Sequence, residues 1–259
     1  MKSNIEWKNW GKSDPLYGVA AVDGKRKDEA EPWTVEEFLN NGAAEWRLFV
    51  RHWEQYGLRR NSCLEIGCGA GRITNQLAHE FLDVRAIDVS EDMIAYAREH
   101  IDTPNVTYYV SNGTNVPLPE ASVTAVFSSL VFRHFDSTDF AVTYFREIHR
   151  VLAPDGTLMI ELPVYAWPNL HREFAFAYGI RKALGDLRAT FRRYLLAHGR
   201  GQPFFRAQCY EIDWLYSTLS SLGFSDVEIR VLPIASSKEE DRRSFVFARK
   251  VADAAKSTP

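Results

Sequence analysis

The run Leu64-Glu65-Ile66-Gly67-Cys68-Gly69-Ala70-Gly71-Arg72 restricts the fold more than any other part of the chain. Its start belongs to a short apolar stretch, Cys63–Ile66, that reads as a strand, and three glycines follow at alternate positions. Glycine accepts left-handed backbone and lets a ligand approach where a Cβ would stand. A strand that ends in such a loop and runs into a helix, here expected over Ala70–Phe81, opens a nucleotide-binding α/β sheet. Seventeen residues past Gly71 stands Asp88, in Ala86-Ile87-Asp88-Val89-Ser90. An acid at the end of the second strand of such a fold accepts hydrogen bonds from ribose hydroxyls.

The rest of the central region repeats the strand–helix alternation. Val84–Val89 reads as the second strand, and Ser90 caps a helix over Glu91–His100. Val106–Val110 and Val123–Leu130 read as the third and fourth strands. A helix over Thr138–Leu152 meets a stop and turn at Ala153-Pro154-Asp155-Gly156, and Thr157–Leu162 is the fifth strand. This order implies a mostly parallel, Rossmann-like sheet of seven strands with helices on both faces. The last two strands, Phe224–Leu232 and Ser244–Lys250, follow a helix over Tyr210–Leu222 and pair as a hairpin.

Two segments flank or interrupt the alternation. Residues 1–33 hold Trp7, Trp10, Tyr17 and Trp33 with no sustained period, and read as irregular structure packed down by its aromatics. A helix starts after Thr34, where Thr34 and Glu37 form a capping box. Residues 1–58 thus make an N-terminal cap and helix. Residues 164–206 show no strand pattern and carry helical spacing from Leu170 to Leu195, so they read as a helical cap inserted after the fifth strand. The tail, 251–259, reads as frayed. All 259 residues are taken as one domain.

Composition excludes several classes. Net charge is −3, which points away from nucleic acid. Three cysteines, Cys63, Cys68 and Cys209, make neither a disulfide framework nor a zinc site, and favour the cytoplasm. No apolar run approaches the ~20 residues that cross a bilayer.

In a dinucleotide site the last glycine falls three positions after the second, which seats a pyrophosphate on the helix N-terminus. Here it falls two positions after, which disfavours a nicotinamide-dependent oxidoreductase. At this point the sequence resembles the class I S-adenosylmethionine-dependent methyltransferases. The resemblance runs over roughly residues 60–163 and returns at 210–250. It includes Asp88, the Pro117-Leu118-Pro119 turn, His134, the helix Glu147–Leu152 and the turn Pro154-Asp155-Gly156. The opening Trp7, Trp10-Gly11 and Asp14-Pro15-Leu16-Tyr17 is also similar to the start of a subgroup of small bacterial methyltransferases.

The resemblance implies S-adenosylmethionine as cofactor. Glu65, Gly67, Cys68, Gly69 and Gly71 would line its amino-acid and ribose side, Asp88 and Val89 its ribose, and Met93 its adenine. Asn112 and Gly113 stand where the family contacts the adenine amino group, with Asn112 replacing a frequent aspartate; Thr124 likewise replaces an aspartate. Tyr17 would cover the cofactor.

Residues after strands four and five face the ligand crevice, so Arg133, His134, Glu161 and Tyr165 are the acceptor-side candidates. His134 and Glu161 are the candidate bases. No metal constellation is visible. Ser128-Ser129-Leu130-Val131 stands in place of the signature of base and amide-nitrogen methyltransferases, which favours a small-molecule acceptor, and oxygen over nitrogen. The 164–206 cap is basic, and Arg192 and Arg193 are its candidates for an anionic substrate. Methylation of RNA or protein, and a non-catalytic binding protein that keeps the fold, are the alternative readings.

Overall fold

The computed structural model describes residues 2–101, 103–166, 208–234 and 242–251. Its elements are α1 (Lys2–Ser13), α2 (Pro15–Val19), α3 (Val35–Tyr56), β1 (Ser62–Ile66), α4 (Thr74–Glu80), β2 (Asp83–Asp88) and α5 (Glu91–His100). There follow β3 (Val106–Val110), β4 (Val123–Ser128), α6 (Thr138–Val151), β5 (Leu152–Glu161), β6 (Val164–Tyr165), β7 (Tyr210–Glu211), α7 (Ile212–Ser221), β8 (Phe224–Pro233) and β9 (Arg242–Lys250).

Seven strands make one sheet in the order β3-β2-β1-β4-β5-β9-β8. The first five run parallel, and β9 pairs antiparallel with both β5 and β8. The expected mostly parallel seven-stranded sheet is therefore the observed one. The strand order reverses between β1 and β4, and such a switch point opens a crevice at the strands' C-terminal ends.

Alternate residues of the central strands feed two separate cores. Leu64, Val126, Leu158, Ile160, Val246 and Ala248 face α6 and α7, where they meet Phe145, Ile148, Leu215 and Leu219. Cys63, Ala125, Phe127, Met159, Phe245 and Phe247 face α3 and α4, where they meet Trp46, Phe49, Trp53 and Leu77. The period of two along each strand is what allows one sheet to serve both layers. Helix α3 begins as its capping box requires: the Glu37 N–H donates to Thr34 Oγ1 and the Thr34 N–H to Glu37 Oε2. It ends at Gly57 in the left-handed conformation.

Several expectations are corrected. Residues 2–13 and 15–19 are helical, not irregular. Asp14 caps α2 through Tyr17 N–H, and Pro15 starts it. These helices are too short to hold by propensity, and they form because Trp10, Leu16 and Tyr17 bury against Phe38, Ala70 and Met93. Helix α4 starts at Thr74 rather than Ala70, because Gly71 at φ +89° cannot be helical. The Ala153–Gly156 turn is absorbed into β5, with Asp155 at φ +58° beside a register shift against β4. Val164–Tyr165 is a two-residue strand on β7, too short to show a period in sequence. Tyr210–Glu211 likewise belongs to β7 rather than to the following helix. The cap from 167 onward, with Arg192 and Arg193, and the tail from 252 lie outside the described residues.

One polar contact links the α3 layer to the sheet interior. Trp53, fully buried, donates its indole N–H to Thr157 Oγ1 at 2.9 Å. Thr157→Val keeps the shape and leaves that donor unsatisfied, so unfolding in urea should show a loss of about 1–3 kcal/mol. An unchanged midpoint would mean the bond contributes nothing net.

Candidate active site

The loop after β1 is tied to the end of β2 by its backbone. The Gly67 and Cys68 N–H groups both donate to Ile87 O, at 2.8 and 3.1 Å. Asp88 follows at once. Its Oδ2 accepts from Gly69 N–H at 2.9 Å and its Oδ1 from Ser90 N–H at 2.8 Å, so one carboxylate holds the loop and the start of α5 together. Burial raises the Asp88 pKa, against the pull of these N–H groups. Each of its oxygens keeps a lone pair for a ligand hydroxyl.

Glu65, the last polar side chain of β1, is buried and accepts a hydrogen bond from Thr74 Oγ1 at 2.6 Å. Burial pushes its pKa up to about 7, with Thr74 and Arg72 opposing and Asp88 adding to the rise. Cys68 lies beside it, and burial holds that thiol protonated.

These groups line a cavity of about 1070 Å³. Glu65, Gly67, Cys68, Gly69, Asp88, Val89 and Met93 are all in its wall, together with Ser111. Gly71 is not. A Cβ there would stand 2.1 Å from Ile101 Cδ1 and 3.3 Å from Ala97 Cβ, so this glycine serves the packing of α5 on the loop. Asn112 is also outside the wall. It is exposed, and its Oδ1 accepts from Thr114 N–H, Thr114 Oγ1 and Asn115 N–H, closing its own turn. Gly113, at φ +86°, gives its N–H to Ser111 Oγ and leaves Ser111 as the group of this loop in the wall.

The N-terminal helices close one side. Ser3, Asn4 and Trp7 of α1, residues 18–23 and Trp33 are in the wall. Tyr17 is not: it is buried between Trp10 and the Arg26 guanidinium, and its neighbours Gly18 and Val19 face the cavity instead. Trp7 stands edge-on to the His134 ring, with centroids 4.8 Å apart. His134 is buried in the cavity wall, on a 3-10 turn after β4 whose His134 N–H donates to Val131 O.

Glu161 is fully buried and outside the wall. Its Oε2 accepts from Leu130 N–H at 2.7 Å and its Oε1 is ion-paired with Arg133, so it anchors the turn that carries Arg133 and His134. That placement removes Glu161 as a base for an acceptor. Arg133 is in the wall, whereas Tyr165, on β6, is not.

Sequence reasoning missed a second charged group in the same wall. Glu45 of α3 is 3% exposed and meets Arg72 Nη2 at 2.6 Å and Arg243 Nη1 at 3.0 Å. Arg72 Nη1 also donates to Asn41 Oδ1 at 2.8 Å. Burial alone would raise the Glu45 pKa, but the two guanidiniums outweigh it and hold the carboxyl below its ordinary range. A signal was present: Glu45 stands four residues before Phe49 and seven after Phe38, on the apolar stripe of α3. Among the described residues no cluster of His, Cys, Asp and Glu is arranged to hold a metal ion, and no helix is long and apolar enough to cross a membrane.

Glu65 generates a pH prediction. Its folded-state pKa lies above the ordinary carboxylate value, so its contribution to stability is present below about pH 4.5 and is lost as pH rises through about 7. Without ligand, Glu65→Gln should match the wild type at pH 4.5 and exceed it at pH 8 by on the order of 3 kcal/mol. Urea unfolding at the two pH values measures this, and parallel behaviour of the two proteins would refute a charged, buried Glu65.

Comparison with known proteins agrees with this geometry. A family model described as a methyltransferase domain matches residues 64–160. A malonyl-[acyl-carrier protein] O-methyltransferase of Hahella chejuensis is 31% identical over 172 residues, which cover 61% of this chain and 58% of that protein. A putative methyltransferase of a Geobacillus species is 27% identical over 227 residues, 79% of this chain and 92% of that one. The chain spans only about half the length of the first two curated relatives it matches, 58% and 52%. Among solved structures, a SAM-dependent methyltransferase from Methanosarcina mazei matches with a TM-score of 0.55 at 18% identity, covering 78% of this chain and 98% of that one. One from Aquifex aeolicus matches at 0.52 and 21%, covering 85% and 100%. At these identities the structures show likeness of fold alone. With its glycine loop and its Asp88, the chain thus carries over residues 64–160 a methyltransferase domain of the kind found in S-adenosylmethionine-dependent enzymes.

Proposed function

We propose that this chain transfers the methyl group of S-adenosylmethionine to a small-molecule acceptor, with oxygen favoured over nitrogen as the atom methylated. The observation that carries the reading is the single cavity that joins the Gly67–Gly69 loop and Asp88 to His134 and Arg133 under the roof of α1. Its volume suits a cofactor and a compact acceptor. Oxygen is supported by the relatives named as malonyl-[acyl-carrier protein] O-methyltransferases.

The residues present fit the cofactor. Gly67 and Gly69 line the cavity in left-handed backbone, where a Cβ would run into Val131 and Val19, and the Asp88 carboxylate suits two ribose hydroxyls. Glu65, whose charge is opposed by burial, suits the cofactor's ammonium, and Met93 and Val89 offer an apolar seat for adenine. When bound, the cofactor supplies a methyl already activated on a sulfonium. The chain's task is then to align the acceptor in line with that carbon and keep water out. Trp7, Val19 and Trp33 put apolar surface over one side of the cavity, which limits water there. His134, in the same wall as Arg133 and edge-on to Trp7, is the residue we assign to take the proton from an acceptor hydroxyl at its imidazole as the methyl leaves the sulfonium for that oxygen.

Two measurements test this. Asp88→Ala removes hydrogen bonds to a charged acceptor, so calorimetry should show S-adenosylhomocysteine affinity reduced at least about tenfold; unchanged affinity would sink the cofactor assignment. With labelled cofactor and the acceptor in hand, His134→Gln should lower kcat by ~10²–10⁴ while S-adenosylhomocysteine affinity holds. A fall in thermal stability with turnover nearly intact would make His134 a packing partner of Trp7, and label found only in RNA or protein would overturn the small-molecule reading.

A further inference from the structure

Three guanidinium groups, Arg72, Arg133 and Arg243, stand in the cavity wall. They come from distant parts of the sequence. Arg72 ends the glycine loop, and Arg133 lies in the turn after β4. Arg243 lies in β9 beside the end of β5, where the Leu162 N–H donates to Ser244 O. All three therefore gather at the C-terminal rim of the parallel strands, where this type of sheet holds its ligands.

Two buried carboxylates set their positions. Glu161 holds Arg133, and Glu45 holds Arg72 and Arg243. Arg72 is occupied by Glu45 and Asn41 together. Arg243 meets Glu45 through Nη1, and its Nε and Nη2 have no protein partner among the described residues. Among the described residues the ion pairs of this cluster join three guanidiniums to two carboxylates; of the other acids of the wall, Glu65 lies near Arg72 but burial pushes its pKa up to about 7, and Asp88 and Asp23 lie with the glycine loop and the N-terminal segment. Arg133 is held by Glu161, and Arg243 lies two residues from Phe245, the β9 partner of Glu161, so both guanidiniums stand at the same end of the β5–β9 pair; burial, and then repulsion by Arg243, lowers the Arg133 pKa to about 10. Arg133, so lowered, still carries its charge beside Arg243 at neutral pH. An anion placed between them removes that repulsion.

We propose that Arg133 and Arg243 form the seat of a carboxylate on the acceptor, which anchors it while another of its atoms is methylated. Calling the anion part of the acceptor rests on the methyltransferase reading above; the anion site itself does not. A surplus of one positive charge matches a monoanion, and a guanidinium fork matches the two coplanar oxygens of a carboxylate. A phosphate monoester brings a charge nearer two. The carboxylate is assigned as anchor because charge-assisted hydrogen bonds draw electron density from its oxygens and weaken them as nucleophiles.

The test uses the full chain saturated with S-adenosylhomocysteine. Calorimetry compares phenylacetate, 3-phenylpropionate and octanoate, each with its primary amide, and phenyl phosphate. At least one carboxylate is expected to bind about tenfold or more tightly than its amide and than phenyl phosphate. Arg133→Lys and Arg243→Lys keep the charge but lose the fork, and each should remove most of that preference while S-adenosylhomocysteine affinity changes less than about twofold. Arg249→Lys, at the other end of β9, should leave the preference intact. If the lysine variants fail to fold, the wild-type comparison decides alone. Equal binding of every carboxylate and its amide, or a preference that survives both lysine variants, overturns the seat. Tighter binding of phenyl phosphate overturns the choice of carboxylate, and methyl ester formed from a bound probe once S-adenosylmethionine replaces S-adenosylhomocysteine overturns the anchoring role. Failure of S-adenosylhomocysteine to bind the wild type would instead sink the methyltransferase reading, and a carboxylate preference measured without it would still stand.

Discussion

The central strands carry apolar side chains on both faces, and neither face can be left in water. Leu64 and Val126 point to one layer and Cys63 and Phe127 to the other, so each strand needs a helix above and a helix below. Parallel strands can be joined only by crossovers that pass over a face, and those helices supply the cover. Every crossover then leaves its strand at the same rim. The glycine loop after β1, Asp88 at the end of β2, and Arg133 and His134 after β4 share one crevice for that reason, although they are spread over residues 67–134 of the sequence.

The polar groups at this rim are buried, and burial is costly unless each is held. Two solutions appear side by side. Asp88 is held by backbone N–H groups, which keep it in place while its remaining lone pairs stay available. Glu45 and Glu161 are held by arginines, and they fix in turn where those arginines stand. Buried ion pairs of this kind are weak as sources of stability. Their contribution here is position: they tie α3, the glycine loop, the turn after β4 and the start of β9 to one another around the cavity. Glu65 follows neither pattern. It has one hydroxyl donor and no close ion pair, and burial pushes its pKa up to about 7, which leaves it ready for a cationic group.

The roof of the cavity shows where local sequence signals stop. Helix α3 was legible because a capping box, an apolar stripe and a terminal Gly57 all agree over 22 residues. Helices α1 and α2 were not, since Gly11, Pro15 and scattered lysines weaken any period over so few residues. Gly11 is nonetheless where α1 crosses α5, with room for a Cβ taken by Ser90 Oγ at 2.3 Å. A contact between residues 11 and 90 leaves no mark on the neighbours of either.

The sequence by itself determined the order of strands and helices, the seven-stranded class of sheet and the acid that follows the glycine loop. These are short-range properties: an apolar period of two or of 3.6, a cap, a left-handed turn, each set by a few adjacent residues. Only the tertiary structure decided which polar side chains share the cavity. It moved Gly71, Asn112, Tyr17 and Glu161 out of the wall and brought Arg72, Glu45 and Arg243 into it. The physical reason is that a side chain's role there depends on which partner reaches it first. Asn112 closes its own turn and Glu161 is taken up by Arg133 and Leu130, whereas Arg243 reaches the site only because β9 of the terminal hairpin pairs with β5, a contact no local pattern encodes.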